Sequence, residues 1–98
     1  MGIVQAFEFT FELGWKTLKD YLAEQAVKAA FPRDVIKESV RYELIDDGEA
    51  WLDMLEKRNL LAHTYDEVRA EQADSLIRQH YFPAIRQVHG KLLELATQ

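Results

Sequence analysis

Three side chains that could handle a phosphodiester lie within the segment R-N-L-L-A-H-T-Y at positions 58–65. An arginine such as Arg58 binds phosphate through two parallel N–H groups, and a histidine such as His63 moves protons near neutral pH. Together with the phenol of Tyr65, they indicate a site for a phosphodiester. The same residues also fit a structural role, in which Arg58 complements a helix C-terminus, His63 caps carbonyls there and Tyr65 packs under the turn.

The composition is that of a soluble globular protein. The chain has 98 residues, of which 48% are apolar and 30% charged. A domain of this size buries only about 60 to 65% of its unfolded surface, so we expect one domain, residues 1–98, with a small stability margin. The uncharged stretches are too short to span a membrane, and the start lacks the basic flank and cleavage site of a signal peptide. We therefore expect a cytoplasmic protein.

The absence of cysteine and the acidic charge exclude several classes of function. Without cysteine there are no disulfides, thiolate nucleophiles or cysteine zinc sites, and His63, His80 and His89 lack the spacing of metal ligands. We expect neither a metal site nor a cofactor. The net charge of −5 argues against a broad electrostatic grip on nucleic acid, which depends on clustered Lys and Arg. Nucleic-acid chemistry would therefore need a local basic site.

The first predicted helix begins near Val4 and carries two apolar stripes. One stripe has helical three-and-four spacing and comprises Val4, Phe7, Phe11, Trp15, Leu18 and Leu22. The other stripe comprises Phe9, Leu13 and Tyr21. A helix with two apolar stripes is expected to be covered on both sides.

Local start and stop signals predict the second and third helices. The second begins at Pro32, because proline suits the first position of a helix, and it ends before the turn at 46–48. The two aspartates of that turn, Asp46 and Asp47, could suggest metal or acid–base chemistry. We interpret them as a turn followed by a helix cap. The third helix is predicted from Glu49 to about Leu61.

A fourth helix is predicted to start beside Tyr65, because residues 64–67 have the T-x-x-E form of a capping box. At Pro83 this helix either kinks or ends, and the apolar pattern then resumes. No segment has the alternating pattern of a strand. The sequence therefore predicts an all-α fold, an antiparallel bundle of about four helices.

The predicted break between the third and fourth helices decides whether Arg58 and His63 can meet. We expect Arg58 in the last turn of the third helix, His63 in the connection and Tyr65 in the first turn of the fourth. Residues five apart in an unbroken helix point about 140° away from each other. The two side chains could then converge only if the helix ends between them.

Several blocks of the sequence resemble those of a known family. Residues 58–63, R-N-L-L-A-H, fit the R-x4-H motif of the HEPN superfamily, including the polar residue directly after the arginine, and Tyr65 extends the match to R-x4-H-x-Y. The longer form is similar to that of the HepT toxins, small helical proteins also described as nucleotidyltransferase substrate-binding proteins. The blocks F-E-F-T-F-E-L at 7–13 and L-I-D-D-G-E-A-W at 44–51 also look like family blocks. The likeness spans nearly the whole chain.

The resemblance implies a metal-independent ribonuclease toxin, encoded beside a minimal nucleotidyltransferase, with a site assembled between two subunits. By that resemblance Arg58 and His63 are the catalytic pair, Asn59 orients the phosphate or the histidine, and Tyr65 is where the nucleotidyltransferase attaches AMP. The partners implied are RNA, the nucleotidyltransferase and a second copy of the chain. The alternative is a non-catalytic subunit that presents a substrate to the nucleotidyltransferase through the same groove.

The sequence departs from the family at its start, and other polar residues have simpler interpretations. Relatives carry one more helix before the F-E-F-T-F-E-L block, so we expect a bundle that lacks the usual N-terminal helix. Three explanations stay open: a fragment, a misassigned start, or a natural short form that dimerises more tightly. The two apolar stripes of the first helix lead us to expect a homodimer or a larger oligomer. Glu12 and Lys16 could approach the site, but their spacing is typical of a surface pair. Trp15 and Trp51 could stack on bases, but core or interface positions are expected in so small a bundle.

Overall fold

The structure of the chain, a computed structural model, consists almost wholly of helices. It describes the backbone of residues 2–63 and 67–97 and the side chains of residues 2–58 and 71–97. Within these residues there are helices α1 (Ile3–Glu24), α2 (Pro32–Arg41), α3 (Gly48–His63) and α4 (Glu67–Leu76), a π-helical turn (Ile77–Tyr81) and helix α5 (Phe82–Ala96). The described part contains no strand, and the prediction of an all-α fold is confirmed.

Helix α1 is the central element, because it contacts every other helical segment. The first predicted stripe supplies its buried side chains: Phe7, Phe11, Trp15, Leu18 and Leu22. In the second stripe, by contrast, Phe9 and Leu13 are 66% and 58% exposed. The single chain therefore covers one side of α1 and leaves apolar surface on the other.

Aromatic rings join α1 to α3 and to the π-helical turn in the core. The rings of Phe7 and Tyr81 stack with their centroids 5.1 Å apart, and those of Phe11 and Trp51 lie 5.7 Å apart. Gly14 permits this approach, because a Cβ atom at that position would lie 3.0 Å from Cη2 of Trp51. Trp15 and Trp51 are both buried, as the sequence predicted.

The start of α2 follows the predicted signal, but its end does not. Pro32 occupies the first turn of α2. Helix α2 ends at Arg41 rather than just before the turn at 46–48, because Glu43 adopts a left-handed φ of 62°. The Asp47 carboxylate accepts a hydrogen bond from the Ala50 N–H at 3.0 Å and so caps the start of α3. The interpretation of residues 46–48 as a turn followed by a helix cap is confirmed for the cap, which Asp47 provides.

Pro83 does not end the last helix. Helix α4, the π-helical turn and α5 follow one another directly, and the Phe82 N–H bonds to the Ile77 carbonyl across the wider turn. A proline removes one backbone donor and crowds the preceding turn of a helix. The π-helical turn precedes Pro83 with only Phe82 between them, which is the part of the helix that the proline disturbs.

Helix α3 continues to His63, so the prediction that it ends at about Leu61 and leaves His63 in a connection is wrong. The segment between Arg58 and His63 contains no proline or glycine, and its two leucines and alanine are strong helix formers. The expected capping box lies at residues 64–67, of which 64–66 fall outside the described part of the chain. The helix therefore does not break between Arg58 and His63.

Candidate functional site

Arg58 is held against α1 rather than projecting freely into solvent. Its Nη1 donates to Oε1 of Glu12, a residue 46 positions earlier in the chain, and only 24% of the Arg58 side chain is exposed. The guanidinium carbon also lies 5.8 Å from the ring centroid of Phe11, at a cation–π distance. The candidate phosphate-binding arginine is thus oriented by one carboxylate and one aromatic ring.

Glu12 is itself fixed by a neighbour on α1. Its Oε2 accepts a hydrogen bond from the indole N–H of Trp15 at 3.0 Å, while Lys16 Nζ lies at 3.9 Å. Both oxygens of the carboxylate are therefore engaged, one by Trp15 and one by Arg58. The result is a short polar chain from Trp15 through Glu12 to Arg58.

The pairing of Glu12 with Arg58 was not predicted from the sequence. The spacing of Glu12 and Lys16 predicts a local surface pair, and that contact does exist, but its distance of 3.9 Å makes it the weaker interaction. The only available signal was the place of Glu12 between Phe11 and Trp15 of the buried stripe. Which residue of another helix it meets depends on packing that spacing alone does not reveal.

The remaining members of the predicted site are only partly described. The backbone of Asn59 and His63 belongs to α3, whereas their side chains and the whole of Tyr65 lie outside the described residues. Positions 58 and 63 are separated by about 140° around the axis of one helix and by about 7.5 Å along it. The structure therefore places Arg58 towards α1 but does not show it next to His63.

A second polar cluster joins α3 to the π-helical turn. The Tyr81 hydroxyl donates to Oδ2 of Asp53, and Lys57 Nζ lies 3.3 Å from Oδ1 of the same carboxylate. Burial, together with the hydrogen bond to Asp53 and its negative charge, raises the pKa of the Tyr81 phenol well above its ordinary value. Tyr81 thus stays protonated at neutral pH and acts as a donor. The pattern of the third helix did not predict this cluster.

The other features considered are the two further histidines, possible metal ligands and possible membrane helices. His80 and His89 are exposed. Within the described residues, no three acidic or histidine side chains are grouped so that they could hold a metal ion. No helix in the same part of the chain is long and apolar enough to cross a membrane.

Comparison with known proteins gives two matches. A family model described as nucleotidyltransferase substrate binding protein like matches residues 1–94. A protein of Haemophilus influenzae (strain ATCC 51907 / DSM 11121 / KW20 / Rd), named probable ribonuclease HepT, is 35% identical over 74 residues. That alignment covers 70% of this chain and 51% of the relative, so the chain spans about half the length of the curated relative it matches.

Proposed function

Because the chain belongs to the nucleotidyltransferase substrate-binding protein-like family, we propose that it is a metal-independent endoribonuclease, the toxin of a toxin–antitoxin pair whose other member is a minimal nucleotidyltransferase. The observation that carries this proposal is the position of the Arg58 guanidinium, which is partly buried and held by Glu12. Arg58 lies on α3, the helix that also bears His63. An arginine held in this way is ready to bind a phosphate. The name of the relative, a probable ribonuclease, supports the same reaction.

The proposed reaction needs only the RNA and the side chains of the site. The 2′-hydroxyl of a nucleotide attacks the adjacent phosphorus while His63 takes the hydroxyl proton. The bond to the 5′-oxygen of the next nucleotide breaks, and that oxygen receives a proton from a histidine acting as acid. Arg58 stabilises the charge that develops on the phosphate oxygens, and Asn59 orients the phosphate or the histidine. The products are a 2′,3′-cyclic phosphate and a 5′-hydroxyl.

The geometry of α3 supports a site shared by two subunits. Positions 58 and 63 diverge by about 140° on the unbroken helix, so Arg58 of one copy would act with His63 of a second copy. If the 58–63 segments of two copies faced each other, they would also concentrate positive charge, which a chain with net charge −5 otherwise lacks. In this arrangement dimerisation is a condition of activity.

The second candidate is a non-catalytic subunit that presents a substrate to the nucleotidyltransferase. The description of the matching family supports it directly. The pairing of Arg58 with Glu12 is compatible with it as well, because an oriented guanidinium can bind a phosphate without cleaving it. The two candidates share a site and differ in whether His63 transfers protons.

Cleavage of RNA in the presence of a chelator separates the two. The purified protein should cut single-stranded RNA in EDTA and leave cyclic phosphate ends, and Arg58→Ala and His63→Ala should each lower the rate by at least about 100-fold. Matched controls are Arg41→Ala, whose exposed arginine pairs only loosely with Glu38, and His89→Ala on the surface of α5. Circular dichroism checks that each variant is folded.

Two results would count against the ribonuclease. Cleavage that survives both Arg58→Ala and His63→Ala assigns the activity to another site or to a contaminant. A folded, dimeric wild-type protein that binds RNA or nucleotide without cutting favours the substrate-binding subunit.

A further inference from the structure

The contact between α1 and Arg58 points to a role for a residue outside the motif at 58–65. Glu12 accepts a hydrogen bond from Arg58 Nη1 through one oxygen and from the Trp15 indole through the other. Trp15 is 9% exposed, so its ring is anchored in the core and its N–H has little freedom to move. The carboxylate is therefore tied to the rigid part of the bundle.

An arginine without such a partner would be a poor catalyst. Its long side chain has many rotamers, and ordering it at the moment of phosphate binding costs conformational entropy. Glu12 takes up one terminal nitrogen of the guanidinium and the Phe11 ring lies against it, which fixes the plane of the group. A guanidinium has five N–H donors, so others remain for the two oxygens of a phosphate.

We infer that Glu12, itself held by the indole N–H of Trp15, is a positioning residue that orients Arg58 for the phosphate of the substrate. This inference rests on the proposed function, because it takes Arg58 to be the residue that contacts the phosphate. Glu12 acts through Arg58 and does not touch the substrate. Trp15 acts one step further back, through Glu12.

The opposite role for Glu12 makes a different prediction. If the carboxylate occupied the place of the phosphate, it would compete with the substrate, and removing its charge would tighten binding and raise the rate. A positioning residue gives the reverse result, since a loosened Arg58 stabilises the transition state less well. Changes in kcat and KM therefore distinguish the two roles.

The kinetic test uses variants that change one group at a time. Glu12→Gln keeps the size of the side chain and removes its charge, and Trp15→Phe keeps an aromatic ring and removes the N–H donor. The matched control is Glu38→Gln, which alters a carboxylate–arginine pair on the surface of α2, that of Glu38 and Arg41. Cleavage of a short single-stranded RNA is measured in EDTA.

We expect Glu12→Gln to lower kcat by about tenfold or more with little change in KM, because a small misplacement of a catalytic group is costly. Trp15→Phe should lower kcat by a smaller factor, and Glu38→Gln should leave it unchanged. The double variant Glu12→Gln/Trp15→Phe should be no slower than Glu12→Gln alone, since Trp15 acts through Glu12. An unchanged or raised kcat in Glu12→Gln overturns the inference.

A second measurement does not depend on RNA cleavage. The ¹⁵N relaxation of the Arg58 Nε–H group, assigned with Arg58→Lys, should show a rigid side chain in the wild type and a mobile one in Glu12→Gln and Trp15→Phe, with Glu38→Gln unchanged. A mobile Arg58 in the wild type overturns the positioning role. If Arg58 is rigid but the wild-type protein cuts no RNA, the proposed ribonuclease activity is wrong. The inference about Glu12 then still holds, with Arg58 oriented for phosphate binding alone.

Discussion

At the scale of single residues, two carboxylates each receive a donor from a distant part of the chain. Glu12 of α1 accepts a hydrogen bond from Arg58 of α3, and Asp53 of α3 accepts one from Tyr81 of the π-helical turn. Such contacts fix the relative rotation of neighbouring helices about their axes, which apolar packing alone fixes less strictly. Arg58 therefore belongs to a polar contact between α1 and α3, and a separate polar contact joins α3 to the π-helical turn.

The Tyr81 contact leads to a prediction for alkaline pH. Because the folded state raises the pKa of Tyr81, its contribution to the free energy of unfolding is fully present below the ordinary tyrosine value of about 10. It is lost as the pH rises above that value towards the higher pKa of the folded protein. Urea unfolding should therefore show stability falling above pH 10, and this fall should be smaller in Tyr81→Phe.

Ultraviolet titration of the four tyrosines gives an independent check. The wild-type protein should retain one phenol that ionises late, together with unfolding, and Tyr81→Phe should lack that late step. Tyr42→Phe, which alters a half-exposed tyrosine at the end of α2, should keep it. Tyr81→Phe should also cost about 1 kcal/mol at neutral pH through the lost hydrogen bond. A late step that persists in Tyr81→Phe contradicts the assignment.

The proposed regulation depends on Tyr65. We expect the cognate nucleotidyltransferase, with ATP and magnesium, to transfer AMP to the Tyr65 hydroxyl with release of pyrophosphate. The added anionic group would block the proposed site of Arg58 and His63 and stop RNA cleavage. Peptide mass spectrometry should find the adduct on Tyr65 and not in Tyr65→Phe. An unmodified peptide after incubation with an active partner would favour the substrate-binding subunit.

At the scale of helices, the sequence predicted what depends on local signals. Pro32 starts α2 and Asp47 caps α3, because both act on their own or adjoining turns of backbone. The buried stripe of α1 was also predicted, since three-and-four spacing defines one face of a helix. The end of α3 was predicted wrongly because the T-x-x-E pattern at 64–67 indicates an earlier end, whereas the uninterrupted helix formers of 58–63 extend the helix to His63.

What could not be predicted depends on which helix faces meet. Glu12 and Arg58 are 46 residues apart, and Asp53 and Tyr81 are 28 apart. No pattern within either helix distinguishes a surface carboxylate from one that pairs across an interface. The sequence thus identified Arg58 as a candidate site residue, whereas its contacts with Glu12 and Phe11 could be found only from the three-dimensional packing.

The ends of α1 and α2 provide a prediction about stability. Ala26 and Glu43 follow these helices, and each has a φ of 62°. This left-handed backbone conformation is unfavourable for any residue that has a Cβ atom. The next N–H in each case closes the helix end, from Val27 to Leu22 and from Leu44 to Ser39, each at 2.8 Å. Replacing either Ala26 or Glu43 by glycine should therefore raise the free energy of unfolding by about 0.5 to 1 kcal/mol.

A matched control separates this effect from a general effect of glycine. Lys37 is exposed in the interior of α2, where glycine should lower stability by about 0.5 to 1 kcal/mol. Chemical denaturation of Glu43→Gly and Lys37→Gly should thus shift the midpoint in opposite directions. A loss of stability in both would show that the left-handed residue is not strained.

At the scale of the whole molecule, the uncovered side of α1 is the feature that the single chain does not account for. Phe9 and Leu13 are one helical turn apart and more than half exposed, and they lie on the same helix as Glu12, the partner of Arg58. Two large apolar side chains in adjacent turns are a typical contact between copies of a chain. Covering this surface would bring a second copy close to the candidate site.

We therefore predict that the protein is a dimer or a larger oligomer at micromolar concentration. Light scattering should give at least twice the mass of 11.4 kDa. The double variant Phe9→Ser/Leu13→Ser should weaken association by at least about tenfold, since each side chain would bury apolar area worth about 1 kcal/mol or more. Phe31→Ser is the matched control, because Phe31 is 70% exposed at the start of α2 and should not affect the mass. RNA cleavage should fall with dimer content if the site is shared between subunits. A wild-type protein that is monomeric at these concentrations would remove the shared site, and the divergence of positions 58 and 63 on α3 would then leave the proposed catalytic pair without a way to meet.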